Sequence, residues 1–145
     1  MVVKLRKVRE NAAVPFYATE GAAGMDLAAC IDEPMIFRPG ERKAVPTGIA
    51  IALPSSDYVA LVYARSSLGL NRGMTLPNAV GVIDSDYRGE VLVALVNISD
   101  EEYTVTPGER IAQMVIAPVC RAEIEEVAEL PETERGAGGF GSTGV

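Results

Sequence analysis

Apolar positions recur in this chain in short bursts, and almost nowhere at the spacing of an amphipathic helix. The bursts fall at Val2–Val8, Met35–Arg38, Ala44–Leu53, Tyr58–Ala64, Val80–Ile83, Val91–Ile98, Tyr103–Val105, Arg110–Val119 and Glu123–Val127. Many are rich in Val and Ile, whose branched side chains suit a pleated, half-buried surface. Turn-forming clusters close them: Arg38-Pro39-Gly40, Leu53-Pro54-Ser55-Ser56-Asp57, Asn71-Arg72-Gly73 and Thr106-Pro107-Gly108. Many short strands at this spacing predict an all-β sandwich, jelly roll or barrel. Only Ser66–Leu70 has the make-up of a short helix. No internal repeat is present. After Val127 the chain turns acidic and then Gly-rich, with little to pack, so residues 1–127 read as the all-β domain and 128–145 as a mobile arm.

Composition narrows the chemistry. The length, 145 residues, suits one domain, and 48% hydrophobic against 23% charged residues can build a core. No apolar run reaches a bilayer's thickness, and the N-terminus lacks the charged-then-apolar pattern of a signal peptide. The expectation is a soluble, cytoplasmic protein with no membrane partner. The absence of histidine excludes Ser-His-Asp and Cys-His machinery and imidazole metal ligands. Any general base is then a carboxylate, Lys or Tyr, or something rarer, and any metal is a hard one held by oxygen. Cys30 and Cys120 lie far apart and read as two reduced core thiols. A net charge of −7 argues against nonspecific nucleic-acid binding, yet leaves room for a small anionic ligand on a few arginines and backbone N–H groups.

Five segments carry candidate chemistry. In Ala22–Ala29, Asp26 is a single acid among small apolar neighbours; by itself it reads as a turn cap, with a role near a metal-bound water as the sharper alternative. Arg65, Ser66 and Ser67 sit where a strand gives way to a helix start, as a phosphate cradle or a simple Ser N-cap. Gly81–Glu90 reads as a hairpin between apolar strands, with Asp84 placed either as a general base or as an ordinary turn acid. In Gly108–Val115, alternation puts Ile111, Gln113 and Val115 on one face and Arg110, Ala112 and Met114 on the other. The terminal Arg135–Val145 combines Arg135, five glycines, Phe140, Ser142 and Thr143, as a lid over a nucleotide triphosphate or as a frayed end. It lacks the Gly-Lys-Ser/Thr of a Walker A loop.

In this order and spacing the five segments resemble the five motifs of the trimeric dUTPase family, from about Ala22 to Gly144. Gly81-Val82-Ile83-Asp84-Ser85-Asp86-Tyr87-Arg88-Gly89-Glu90 and Arg135-Gly136-Ala137-Gly138-Gly139-Phe140-Gly141-Ser142-Thr143-Gly144 carry the resemblance most specifically. Ala64 and Ser67 stand where the family often has Pro and Gly, and Met25 where an aromatic is common.

The resemblance implies a distorted β jelly roll, a homotrimer with active sites shared among subunits, and a mobile C-terminal arm. It implies hydrolysis of dUTP to dUMP and pyrophosphate with magnesium. Asp84, Gln113 and Arg65 would form the catalytic set. Asp84 would deprotonate the water that attacks the α-phosphorus, and Arg65, Ser66, Ser67 and Gln113 would serve the phosphates. Asn78 and the backbone at Gly81 would read the uracil edge, and Tyr87 would pack on the deoxyribose and exclude a 2′-hydroxyl. Arg135, Ser142 and Thr143 would hold the γ-phosphate, with Gly141 beside them and Phe140 over the uracil. Asp26 would support the metal indirectly, through water. The competing expectations are a dCTP deaminase or bifunctional deaminase of the same fold, and a trimer that binds nucleotide without turnover.

Overall fold

A computed structural model describes residues 1–139. The chain runs β1 (Lys4–Lys7), β2 (Phe16–Tyr17), β3 (Met25–Ala28), β4 (Met35–Phe37), β5 (Arg42–Pro46), β6 (Ile49–Ala52) and β7 (Tyr58–Ala64). It continues through α1 (Ser66–Arg72) to β8 (Met74–Thr75), β9 (Gly81–Ile83), β10 (Leu92–Asn97), β11 (Tyr103–Val105) and β12 (Arg110–Pro118). The all-β class is as expected, and α1 lies over the Ser66–Leu70 position read from sequence.

All strand pairs are antiparallel. The largest sheet has the order β2-β3-β12-β7-β9, and smaller ones pair β5-β10-β8, β1-β6 and β11-β4. The inward residues of these sheets meet in one core, where Leu27, Phe37, Ile49, Met74, Leu95, Ile111 and Met114 are essentially fully buried. Each such side chain contributes roughly 1.5–3 kcal/mol of transfer free energy. The core also holds Asn97, whose amide donates to the carbonyls of Phe37 (2.9 Å) and Glu101 (2.7 Å), so its burial leaves no orphaned polar atom.

The structure departs from the sequence reading at several places. Ala44–Leu53 is two strands, because Gly48 turns the chain with φ +72°. A Cβ there would also fall 2.6 Å from Ala12 Cβ and 2.7 Å from Cys30 Sγ, so only glycine fits. Gly81–Glu90 is not a hairpin. Strand β9 pairs with β7 while β10 pairs with β5 and β8, so the segment between them crosses from one sheet to another. The expected strand at Glu123–Val127 is absent and the segment is exposed. Ile124 and Val127 are three apart and cannot share a strand face, and three glutamates surround them. Short strands β2, β3 and β8 had no legible pattern. Cys30 is buried but Cys120 is exposed, so only one of the two thiols is a core residue.

Candidate active site

Strand β3 brings Asp26 beside Gln113 of β12, its Cα partner in the register. Asp26 therefore caps no turn; it projects from the middle of the main sheet. Strand β7 lies on the other side of β12 and ends at Ala64, so Arg65 emerges next to both residues. The Asp26 side chain is only 10% exposed; it pairs with two arginines and accepts a hydrogen bond from Arg110. Arg65 Nε lies 3.1 Å from Oδ1, and Arg110 Nη1 lies 2.9 Å from Oδ2. Arg65 Nη1 also donates to the Arg110 carbonyl at 3.1 Å, and Gln113 Nε2 donates to the Ala64 carbonyl at 3.4 Å.

These residues line a groove of about 510 Å³ together with Ala22, Ser66 and Ser67. Position Arg65 is the N-cap of α1 and no side chain caps the helix, so Ser66 is not the capping serine that composition alone suggested. Asp26, Arg65, Ser66, Ser67 and Gln113 are thus brought together.

Arg110 is the residue that sequence reasoning missed. Alternation assigned it to the face opposite Gln113. A β-bulge between Arg110 and Ala112 breaks that alternation. The extra residue, Ile111, is buried like Ala112 and Met114, while Arg110 and Gln113 both face the groove. The preceding turn is held firmly. Ala29 N donates to the Glu109 carbonyl and Gly108 N to the Ala29 carbonyl, both at 2.8 Å. Tyr103 donates its hydroxyl to the Glu109 carboxylate, and burial first, then that bond, push the Tyr103 phenol up to about 12. Nothing in the alternation over Arg110–Val115 marked the bulge, because it is set by the pairing of β12 with β3.

The second cluster lies elsewhere in the chain. Asp84 follows β9 and is exposed, bordering a cavity of about 220 Å³ with Tyr87 and another of about 390 Å³ with Tyr58 and Arg121. Tyr87 N donates to the Asp84 carbonyl (3.2 Å), and Tyr87 donates its hydroxyl to the Glu90 carbonyl (3.0 Å). A Cβ on Gly89 would fall on the Tyr87 phenol, so glycine lets the ring fold over the loop. Asn78 sits in a tight turn in which Val80 N donates to the Asn78 carbonyl at 2.6 Å around Ala79, at φ +61°. That left-handed alanine stores strain of about 1–3 kcal/mol beside the strand that carries Gly81.

The loop is anchored by Glu90. Arg9 donates to its carboxylate at 2.6 and 3.0 Å, and Gly48 N donates at 2.8 Å. The Arg9 guanidinium chiefly, with the Gly48 amide, holds the Glu90 carboxyl below its ordinary range against the opposing effect of burial. A lowered folded-state pKa stabilises the fold above the unfolded-state value and loses that effect as pH falls through the folded one. Glu90→Gln should therefore lower Tm at neutral pH, and the gap from the parent should close below about pH 4. Thermal melts at several pH values check this; a gap independent of pH would contradict it.

Arg135 is exposed, and its Nε donates to the Gly138 carbonyl at 2.8 Å. It lines neither cluster. Phe140, Gly141, Ser142 and Thr143 lie outside the described residues.

Comparison with known proteins gives the following matches. The dUTPase family model matches residues 10–144. The deoxyuridine 5'-triphosphate nucleotidohydrolase of Hydrogenobaculum sp. (strain Y04AAS1) is 53% identical over 145 residues, covering 100% of this chain and 99% of that protein. The protein of the same description from Neisseria meningitidis (strain Z2491) is 54% identical over 132 residues, covering 91% of this chain and 88% of that one. Among solved structures, the Staphylococcus bacteriophage 80alpha dUTPase with dUPNHPP is similar at a TM-score of 0.88 and 27% identity, over 99% of both chains. A mutant dUTPase from phage phi11 of S. aureus, which coordinates a structural Mg(II) ion, shares the fold at a TM-score of 0.81 and 22% identity, over 91% of this chain and 100% of that one.

Proposed function

The chain belongs to the dUTPase family, and from that premise we propose how it hydrolyses dUTP to dUMP and pyrophosphate, in a site completed by neighbouring copies of itself. One observation carries the shared site. The register pairs Ile83, the residue before Asp84, with Ala60 of β7, five residues before Arg65, which follows the end of that strand. At about 3.3 Å per residue that is about 17 Å. A general base must lie within about 3 Å of the proton it takes. Asp84 and Arg65 of one chain therefore cannot serve one phosphate, whereas Asp84 of one copy and Arg65 of another can. A homotrimer, the assembly implied by the family, supplies that arrangement.

In this reading Arg65, Ser66, Ser67 and Gln113 hold phosphate oxygens in the groove of one copy. Asn78 and the Gly81 backbone of a neighbour read the uracil edge, and Tyr87 lies against the deoxyribose. Asp84 takes a proton from water as its oxygen bonds to the α-phosphorus, and the bond to the bridging oxygen breaks to release pyrophosphate. Arg and backbone donors stabilise charge that builds on the phosphate oxygens. The arm, residues 128–145, closes over the substrate, with Arg135, Gly141, Ser142 and Thr143 at the γ-phosphate and Phe140 over the uracil. Closure excludes bulk water and completes the site.

The donor chemistry also fits a hard cation. Among the described residues no three acidic or sulfur side chains converge into a cage, and histidine is absent. Magnesium would be carried on phosphate and water oxygens, with Asp26 as the one carboxylate lining the groove among the described residues. When bound, magnesium neutralises charge on the triphosphate. Among the described residues no helix is long and apolar enough to cross a membrane. A place in the cytoplasm, with no nucleic-acid partner, accords with the −7 charge and with a role in lowering dUTP and supplying dUMP.

Pyrophosphate release from dUTP, dCTP, dTTP and UTP, with magnesium and then with chelator, tests the reading. Fast, magnesium-dependent release from dUTP alone is expected. Ammonia from dCTP would favour the deaminase, and tight dUTP binding without turnover would favour a silent trimer.

A further inference from the structure

We propose that Arg110 is a second phosphate-binding guanidinium of this site, and that Asp26 is the positioning carboxylate that holds Arg65 and Arg110 as a pair. The inference rests on the dUTP reading above and goes beyond the residues it assigns. Its basis is charge and geometry. Two guanidinium groups converge on one carboxylate, each on its own oxygen, at 3.1 and 2.9 Å. Among the described residues no other acid lines the groove, so their side chains give it a net positive charge in a chain whose overall charge is −7. Two like charges this close are favourable only when an anion offsets them. One carboxylate offsets half of the pair, and a triphosphate would offset the remainder.

Arg110 also has the donors for the task. Its one side-chain bond among the described residues goes to Asp26, and a guanidinium has a fork of N–H groups suited to phosphate. Its side chain is 47% exposed where that of Asp26 is 10% exposed, so the carboxylate forms the floor and the guanidinium the accessible rim. The bulge at Ile111 supplies the local reason. Without it, Arg110 and Gln113 would point to opposite faces of β12; with it, both face the groove.

The test measures binding to the full-length protein of two probes, the non-hydrolysable imido analogue of dUTP and inorganic tripolyphosphate, with deoxyuridine as competitor to report the base pocket. Arg110→Gln should weaken the analogue by about 10- to 100-fold, the loss expected for charged hydrogen bonds, and weaken tripolyphosphate likewise. The deoxyuridine inhibition constant should hold. Arg110→Lys, which keeps the cation but not the fork, should fall between, and serves if the glutamine variant folds poorly. A double-mutant cycle with Asp26→Asn separates direct contact from positioning. A phosphate contact leaves a penalty for losing Arg110 in the Asp26→Asn background, whereas an Arg110 that only braces Arg65 through Asp26 leaves none. Unchanged analogue binding, or equal weakening of analogue and deoxyuridine, would overturn the proposal. Arg110-dependent binding of tripolyphosphate by a protein indifferent to dUTP would instead sink the nucleotide reading and keep the anion site.

Discussion

Asp84→Asn should lower kcat on dUTP by about 10²- to 10⁴-fold, the usual contribution of a positioned general base, while the imido analogue still binds. Asparagine keeps the shape and hydrogen-bonding reach of aspartate but cannot take a proton from water. Asp84 is exposed in the single chain, and substitutions at such positions usually change stability by less than about 0.5 kcal/mol. Turnover should therefore be lost with Tm unchanged. Steady-state kinetics beside a thermal melt decide the matter, and a kcat near that of the parent removes Asp84 from its role. The same variant tests the shared site. Chains with Asp84→Asn and chains with Arg65→Ala should each be inactive alone. Mixed trimers, formed by denaturing and refolding the two together, should regain activity, because some sites then draw an intact Asp84 and an intact Arg65 from different copies. No recovery would contradict the shared arrangement.

A chain ending at Glu134 should keep its fold and its assembly but lose at least about 10²-fold in kcat/KM, since each charged hydrogen bond lost costs roughly 1.5–3 kcal/mol. The deletion removes Arg135, Phe140, Ser142 and Thr143 together. Among the described residues it removes none from the core: from Pro118 to Ala137 every position is exposed, and the backbone bond from Val119 N to the Asp57 carbonyl lies well before the cut. An unchanged Tm and sedimentation coefficient with collapsed activity is the expected pair of results. Full activity of the shortened chain would remove the lid from the mechanism, and a lowered Tm would show the arm to be part of the fold.

Several strands were legible because their pattern is local. Tyr58–Ala64 and Tyr103–Val105 are bounded as their apolar runs and turn residues suggest, since branched and aromatic residues between Pro, Gly and Asp leave few alternatives. Strands β2 and β8 are two residues long and formed by pairing with neighbours distant in sequence, so no periodicity betrays them. Gly81–Glu90 has the composition of a hairpin, yet its flanking strands join different sheets. Pairing partners are chosen by the burial of Val91, Val93 and Leu95 against the rest of the core, which a window on the sequence does not contain.

The sequence by itself determined the class of fold, the lack of histidine chemistry, and the family, because short-range alternation, composition and motif order are properties of the chain as written. Tertiary structure alone decided which side chains meet. Asp26, Arg65 and Arg110 are joined across β3, β7 and β12 by sheet register, and one extra residue at Ile111 reverses the face that Arg110 presents. The same register sets Ile83, next to Asp84, about 17 Å from Arg65 along β7. Strand alternation is a local rule with a period of two, so a single bulge inverts it. Register and bulges are fixed by the packing of the whole core, and through them the structure determines which chemistry falls within one chain and which needs a neighbour.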